Sequence, residues 1–297
     1  MTNAEKFFRQ AIDRDPNFAL AYAGLADTLA MGQGIIDEVD HASGRALELD
    51  PNLGEVYATR GFIEMFHNWR WQKAEQDLRR AVELSPNYGT AHQWLATLLA
   101  ITGRVGEAKI AMRRALEIDP LSPNFLADMG QMHYFAREYE EAERYCRRAL
   151  EVSPNFGFAH SYLNQIYLKT NRHDEAFAEY LRGVTAGFSD SKYPNAIEDY
   201  LVYWRETHRR SGMRGVWRQW IEDYKPTTST PNGSYGIATN YALLGEKEEA
   251  LHWLEIAVER RPFLMAFVGA DPYFDDLRSE PRFRAVLRRM NLPGSSQ

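Results

Sequence analysis

The sequence of 297 residues holds a single cysteine, Cys146. One cysteine excludes a disulfide within the chain and any cysteine-based zinc cluster. Long apolar runs are missing as well. The longest, Phe263 to Ala270, falls far short of the roughly 20 residues that a membrane helix needs. There is no basic excess: 35 Lys and Arg against 41 Asp and Glu give a formal net charge of −6. A chain devoted to gripping nucleic acid is ordinarily basic, so that partner is disfavoured. The start, Met1 to Lys6, lacks the charged and apolar regions of a secretory signal, and a cytoplasmic location is expected. The segment Gly32-Gln33-Gly34-Ile35-Ile36-Asp37 lacks the third glycine and the preceding strand of a phosphate-binding loop. Neither H-E-x-x-H nor G-x-S-x-G occurs. No cofactor, metal or catalytic residue is therefore expected, and the chain does not read as an enzyme.

What is present is a period. Pro16, Pro51, Pro86, Pro120 and Pro154 are spaced by 35, 35, 34 and 34 residues, and four of the five precede Asn. Ala74, Ala108 and Ala142 each lie twelve residues before the next proline. Between them recur Leu78-Arg79-Arg80-Ala81, Met112-Arg113-Arg114-Ala115 and Cys146-Arg147-Arg148-Ala149. Each unit reads as two helices. In residues 86–120, His92, Leu95, Ala96 and Leu99 form one stripe, Gly103-Arg104 breaks the chain, and Ala108, Met112 and Ala115 form a second. Small residues at 96, 108 and 115 let two helix axes approach closely.

This pattern resembles the tetratricopeptide repeat (TPR) family, W-x2-L-G-x2-Y…A-x3-F…P over 34 residues. Later units supply Leu126, Met129, Gly130, His133, Ala142, Cys146, Ala149 and Pro154, then His160, Leu163, Asn164, Tyr167, Ala176, Tyr180 and Gly183, with Phe188 in the proline's place. Ile237, Ala238, Tyr241, Ala250, Leu254, Ala257 and Pro262 restore the pattern. The resemblance implies an all-α, right-handed superhelical solenoid of about seven antiparallel helix pairs with a C-terminal capping helix. Length alone suggests two domains, but a 34-residue unit makes the chain one solenoid over 1–297. Within it, 1–16 is an orphan second helix and 17–188 holds five units, the first weakened by Gly32, Gly34 and Gly44. Residues 189–225 form a degenerate repeat packed by Tyr200, Trp204, Trp217 and Trp220. Residues 226–262 are a further unit, 263–292 a cap with Ser279 as the helix N-cap, and 293–297 a tail. The orphan helix exposes Phe7, Phe8 and Ile12, so it is expected to pack on another domain or chain; a frayed first helix is the alternative. The Asp271-to-Met290 ending, Trp69-Arg70-Trp71 and Asp119-Pro120-Leu121-Ser122-Pro123 resemble the C-terminal TPR region of bacterial multidomain regulators, whose N-terminal region is often a winged-helix, kinase or cyclase domain.

Candidate sites follow from the register. His92, His133 and His160 stand where the repeat holds large residues and read as packing rather than as a metal or acid–base cluster. The arginine pairs stack into a stripe that could meet phosphate, yet Glu75, Glu83, Glu117, Glu143 and Glu151 stand within helical reach and largely neutralise it. By family resemblance, the concave side of the first helices takes a protein or peptide partner. There stand Phe62, Phe66, Gln93, Trp94, Thr97, Gln131, Phe135, Tyr162, Gln165 and Lys169. The set is aromatic and neutral-polar, which suits apolar anchors on a peptide or helix and does not suit capture of an acidic tail. For each aromatic, packing against the neighbouring repeat is an equal alternative. A nucleic-acid-associated regulator and an enzyme site on the solenoid remain the rival functions.

Overall fold

The computed structural model describes residues 2–31, 36–187, 194–225 and 231–293. Among these every regular element is a helix. Gly32, Gly34, Phe188 and the tail from Gly294 onward lie outside the described residues. The chain divides into two compact units, 1–99 with 106–119, and 100–105 with 120–297.

The first unit contains α1 (Asn3–Arg14), α2 (Ala19–Met31), α3 (Ile36–Leu49), α4 (Gly54–Ile63), α5 (Trp71–Leu84), α6 (Gly89–Ile101) except its last two residues, and α7 (Val105–Ile118) except its first. The second contains α8 (Pro123–Phe135), α9 (Tyr139–Val152), α10 (Gly157–Lys169), α11 (His173–Gly187), α12 (Pro194–Tyr224), α13 (Pro231–Leu244), α14 (Lys247–Arg260) and α15 (Pro281–Arg289). Two 3-10 turns, Phe263–Phe267 and Pro272–Leu277, precede α15. Consecutive helices pair: α2 with α3, α4 with α5, α8 with α9, α10 with α11, α13 with α14. This is the TPR-like solenoid arrangement.

The small residues do what their spacing predicts. Ala74, Ala81, Ala108, Ala115, Ala142 and Ala149 are completely buried. At Gly130 of α8, a Cβ would lie 2.5 Å from Cys146 Sγ and 3.0 Å from the Ala142 carbonyl of α9. Only a glycine there lets the two helices meet. Cys146 itself is wholly buried, and burial drives its thiol far above the ordinary value, so it supplies volume.

The turns between paired helices use a left-handed residue. Gly103, Arg137 and Asn171 have φ of 85°, 63° and 58° and follow Pro86, Pro120 and Pro154 by seventeen residues each. Such a residue closes a helix by satisfying its last carbonyls. Trp69, φ 54°, takes the same role eighteen residues after Pro51. The extra residue is absorbed in a π-turn, Glu64–Asn68, directly before Trp69. The 35-residue spacing from Pro51 to Pro86 is thus a single insertion, placed where a π-turn forms.

α12 breaks at Gly212, φ 61°, into two helical halves. Its first half buries Trp204 and its second half Trp217. One expectation is corrected: the N-cap of α15 is Glu280, not Ser279, and its side chain makes no capping bond. Pro281 occupies the first turn, where a missing N–H costs nothing. The helix start therefore depends on proline instead of a serine cap. Gly44 lies within α3, which continues through it to Leu49.

Candidate functional site

The first helices carry the residues expected to take a partner. In the first unit, Phe62 of α4 lies 4.8 Å from Phe66 and 4.9 Å from Trp94 of α6. Phe62, Phe66, Gln93, Trp94 and Thr97 are all buried. Thr97 donates to the Gln93 carbonyl at 3.0 Å, a bond within its own helix. The aromatics are packed between neighbouring first helices and form a floor.

In the second unit, Gln131 and Phe135 of α8 are buried, while Tyr162, Gln165 and Lys169 of α10 are half-buried. The Tyr162 hydroxyl donates to Asp128 Oδ1 at 3.1 Å. Phe135 stacks on Phe267 at 5.9 Å, and the Lys169 ammonium donates to the Pro272 carbonyl at 2.9 Å. Both contacts are made by the 3-10 segment after α14.

That segment, residues 263–278, lies against α8, α10 and α13. Asp271 is buried at its centre. Its carboxylate accepts from the hydroxyls of Tyr134 at 3.3 Å and Tyr235 at 2.8 Å, and from the Tyr273 amide at 3.0 Å. Burial raises the Asp271 pKa, and these three donors work against that rise. Tyr134, Tyr235 and Tyr273 are held well above the ordinary phenol value, first by burial and then by the Asp271 charge. Arg137, the left-handed residue after α8, grips Asp275 with two nitrogens and reaches the Ala270 carbonyl at 3.1 Å. Arg278 donates to the same carboxylate at 2.7 Å. Burial alone would raise the Asp275 pKa, but the two guanidinium groups outweigh it and the net shift is downward.

The sequence missed this docking. Tyr134 and Arg137 stand more than 130 residues before Asp271 and Asp275, and no repeat period links them. The one available signal was the concentration of Asp, Tyr and Phe in 271–276, beyond the last turn proline.

His92, His133 and His160 sit in packing contacts of their helices. His160 is buried, with Nδ1 2.6 Å from Glu179 Oε2 and Nε2 3.0 Å from the Pro154 carbonyl. His92 Nε2 makes the matching contact to the Pro86 carbonyl at 3.0 Å. His133 stacks on Tyr145 at 5.3 Å. Among the described residues no group of three or more His, Cys, Asp or Glu is gathered as a metal would require. Four of the six stripe arginines pair with carboxylates: Arg79 with Glu75 at 2.8 Å, Arg80 with Glu83 at 3.2 Å, Arg114 with Glu117 at 2.8 Å and Arg147 with Glu143 at 2.7 Å. No helix among the described residues is long and apolar enough to cross a membrane.

Stacked helix pairs with close-packed alanines and a left-handed turn between partners define a tandem helix-pair repeat protein. Residues 69–123 and 128–200 match the tetratricopeptide repeat family model, so these stretches carry TPR repeats. Anaphase-promoting complex subunit 3 of Schizosaccharomyces pombe is 24% identical over 135 residues, 46% of this chain and 20% of that protein. The human protein O-mannosyl-transferase TMTC3 is 24% identical over 173 residues, 57% of this chain and 19% of that protein. The chain thus spans about a fifth of the length of these curated relatives. Among solved structures, the anaphase-promoting complex hetero-tetramer Cut9–Hcn1 aligns over 96% of this chain and 52% of its own. Its TM-score is 0.62 at 14% identity, a likeness of fold. Repeats of this architecture build extended binding surfaces from their stacked helices.

Proposed function

We propose that the chain is a protein–protein interaction scaffold that takes a peptide or a helix on the concave faces of its first helices. The observation that carries this reading is the seat of residues 263–278. An irregular segment lies there on α8 and α10 through one aromatic anchor, one arginine–carboxylate clasp and one lysine–carbonyl bond. Those are the elements of peptide recognition. A partner would use the same chemistry on the neighbouring faces. In the second unit, residues 263–278 already occupy Phe135 and Lys169, so a partner would meet Gln131, Tyr162 and Gln165 beside them. In the first, Phe62, Phe66, Trp94, Gln93 and Thr97 form the corresponding floor. The wider role would be the partner-binding arm of a bacterial regulator in the cytoplasm. Its mark would be a winged-helix, kinase or cyclase reading frame continuous with this one upstream of Met1.

The immobilised full chain tests the site. The double variant Tyr162→Ala, Gln165→Ala should keep its helical circular dichroism and lose at least tenfold in retention of the proteins that the wild type captures. Undiminished capture with both side chains removed would overturn the assignment of the binding face to α10.

A further inference from the structure

The repeats are an internal alignment, and it singles out one place in the first unit. Eight residues before each turn proline stand Leu78, Met112, Cys146 and Leu254, but Ser43 in the first full repeat. Nine residues after the proline stand Leu25, Leu95, Met129 and Leu163, but Arg60 in the second. Thirteen after stand Leu29, Leu99, His133 and Tyr167, but Glu64. Three slots that elsewhere hold mostly apolar packing residues thus carry a hydroxyl, a guanidinium and a carboxylate. All three line one cavity.

The cavity has a volume of about 300 Å³ and is walled by α3, α4 and the π-turn. Val39 and Ile63 give it apolar wall, and Asp40 stands with the polar groups. A Cβ built on Gly44, also in the lining, would touch nothing within 4 Å among the described residues.

Its polar groups are under-used. Ser43 is 2% exposed, and its hydroxyl has no hydrogen-bond partner among the described residues. A buried hydroxyl in that state costs stability unless something bonds it. The Arg60 guanidinium reaches Asp77 only at 3.8 Å, beyond a hydrogen bond. The Glu64 side chain, 15% exposed, meets Arg70 at 3.6 Å and Asn68 at 3.1 Å. Glu64 opens the π-turn, a distortion that recurs at functional sites. One water would satisfy Ser43, but the volume is several times the roughly 30 Å³ that a water occupies.

We infer that this cavity is a binding site for a small zwitterion with a short apolar body, the chemistry of a free α-amino acid. The charge pattern selects that class. A purely anionic ligand would face the carboxylates of Asp40 and Glu64. A purely cationic one would face Arg60. An ammonium set toward Glu64 and Asp40, with a carboxylate toward Arg60 and Ser43, answers all four, and the apolar body lies on Val39 and Ile63. This site is independent of the partner-binding reading above.

The test uses the full chain and three probes of one carbon skeleton: leucine, 3-methylbutylamine lacking the carboxylate, and 4-methylpentanoate lacking the amine. Glycine and phenylalanine bracket the size. Calorimetric titration and thermal denaturation should show saturable binding and a raised Tm with leucine, and at least tenfold weaker binding of both single-charge analogues. The variant Ser43→Leu installs the residue found at this slot as Leu78 and Leu254. It should fold with an undiminished Tm and lose leucine binding. The variant Glu64→Gln keeps the cavity open and should weaken leucine more than 4-methylpentanoate. Absence of saturable binding by leucine, glycine and phenylalanine would overturn the proposal. So would equal binding of the amine alone, or unchanged leucine binding in a folded Ser43→Leu.

Discussion

Asp271 and Asp275 stand four residues apart in one docked segment, and their surroundings push them in opposite directions. Asp271 is buried among phenols, so its proton is held more tightly than usual. Its folded pKa exceeds the unfolded one, and it makes the fold less stable as pH rises from about 3.8 through the raised value. Asp275 is also partly buried, but Arg137 and Arg278 keep it ionised below the ordinary 3.8. Its folded pKa is depressed. The stability it contributes is fully present above about 3.8 and is lost as pH falls through the lower folded value. The clasp is about a third exposed, so solvent screening limits it to about 1 kcal/mol. Asp275→Asn should therefore cost about 1 kcal/mol at pH 7. Urea denaturation between pH 7 and pH 3 should show the gap to wild type closing below about pH 4. A gap of constant size over that range would mean that charge contributes nothing to the clasp.

A helix pair is only as tight as its smallest contact allows. Gly130 has Cys146 Sγ 2.5 Å from its would-be Cβ, with α9 backbone close behind. Gly130→Ala must push α8 and α9 apart and should cost about 1–3 kcal/mol. Gly106, in the first turn of α7, has nothing within 4 Å among the described residues. Gly106→Ala should be neutral or stabilise by up to about 1 kcal/mol through helix propensity. Thermal denaturation of the two variants separates the cases, and equal shifts would show that the close crossing is not what glycine is for. This level was legible in the sequence because a period of 34 repeats the same contact, so Ala96, Ala108 and Ala115 announce the packing of their unit. What a period cannot announce is its own exceptions. The π-turn appeared only as a spacing of 35. Ser43, Arg60 and Glu64 did not stand out because the neighbouring slots matched the pattern well enough. The burial of Phe62 and Trp94 was equally hidden, because the two rings pack on each other.

In a solenoid each repeat ordinarily meets only its neighbours, so damage at one end stays there. The second unit departs from that rule. Residues 263–278 follow α14 in the chain, yet they lie on α8 and α10, through Tyr134, Phe135, Arg137 and Lys169. Ending the chain after Pro262 would remove α15 and uncover Leu254 and Val258, as in any repeat protein. It would also strip the cover from Phe135, leave the buried hydroxyls of Tyr134 and Tyr235 without Asp271, and release Arg137. Unmet buried polar groups cost about 1–3 kcal/mol each, so the loss should reach well beyond the last pair. Hydrogen exchange on the truncated chain should show faster exchange in α13 and α14, and also in α8 and α10. The helices α4 and α5 of the first unit supply the internal standard, with exchange unchanged. If α8 kept its protection while α13 and α14 lost theirs, the second unit would be a nearest-neighbour stack after all, and the docked segment would be an ornament on it.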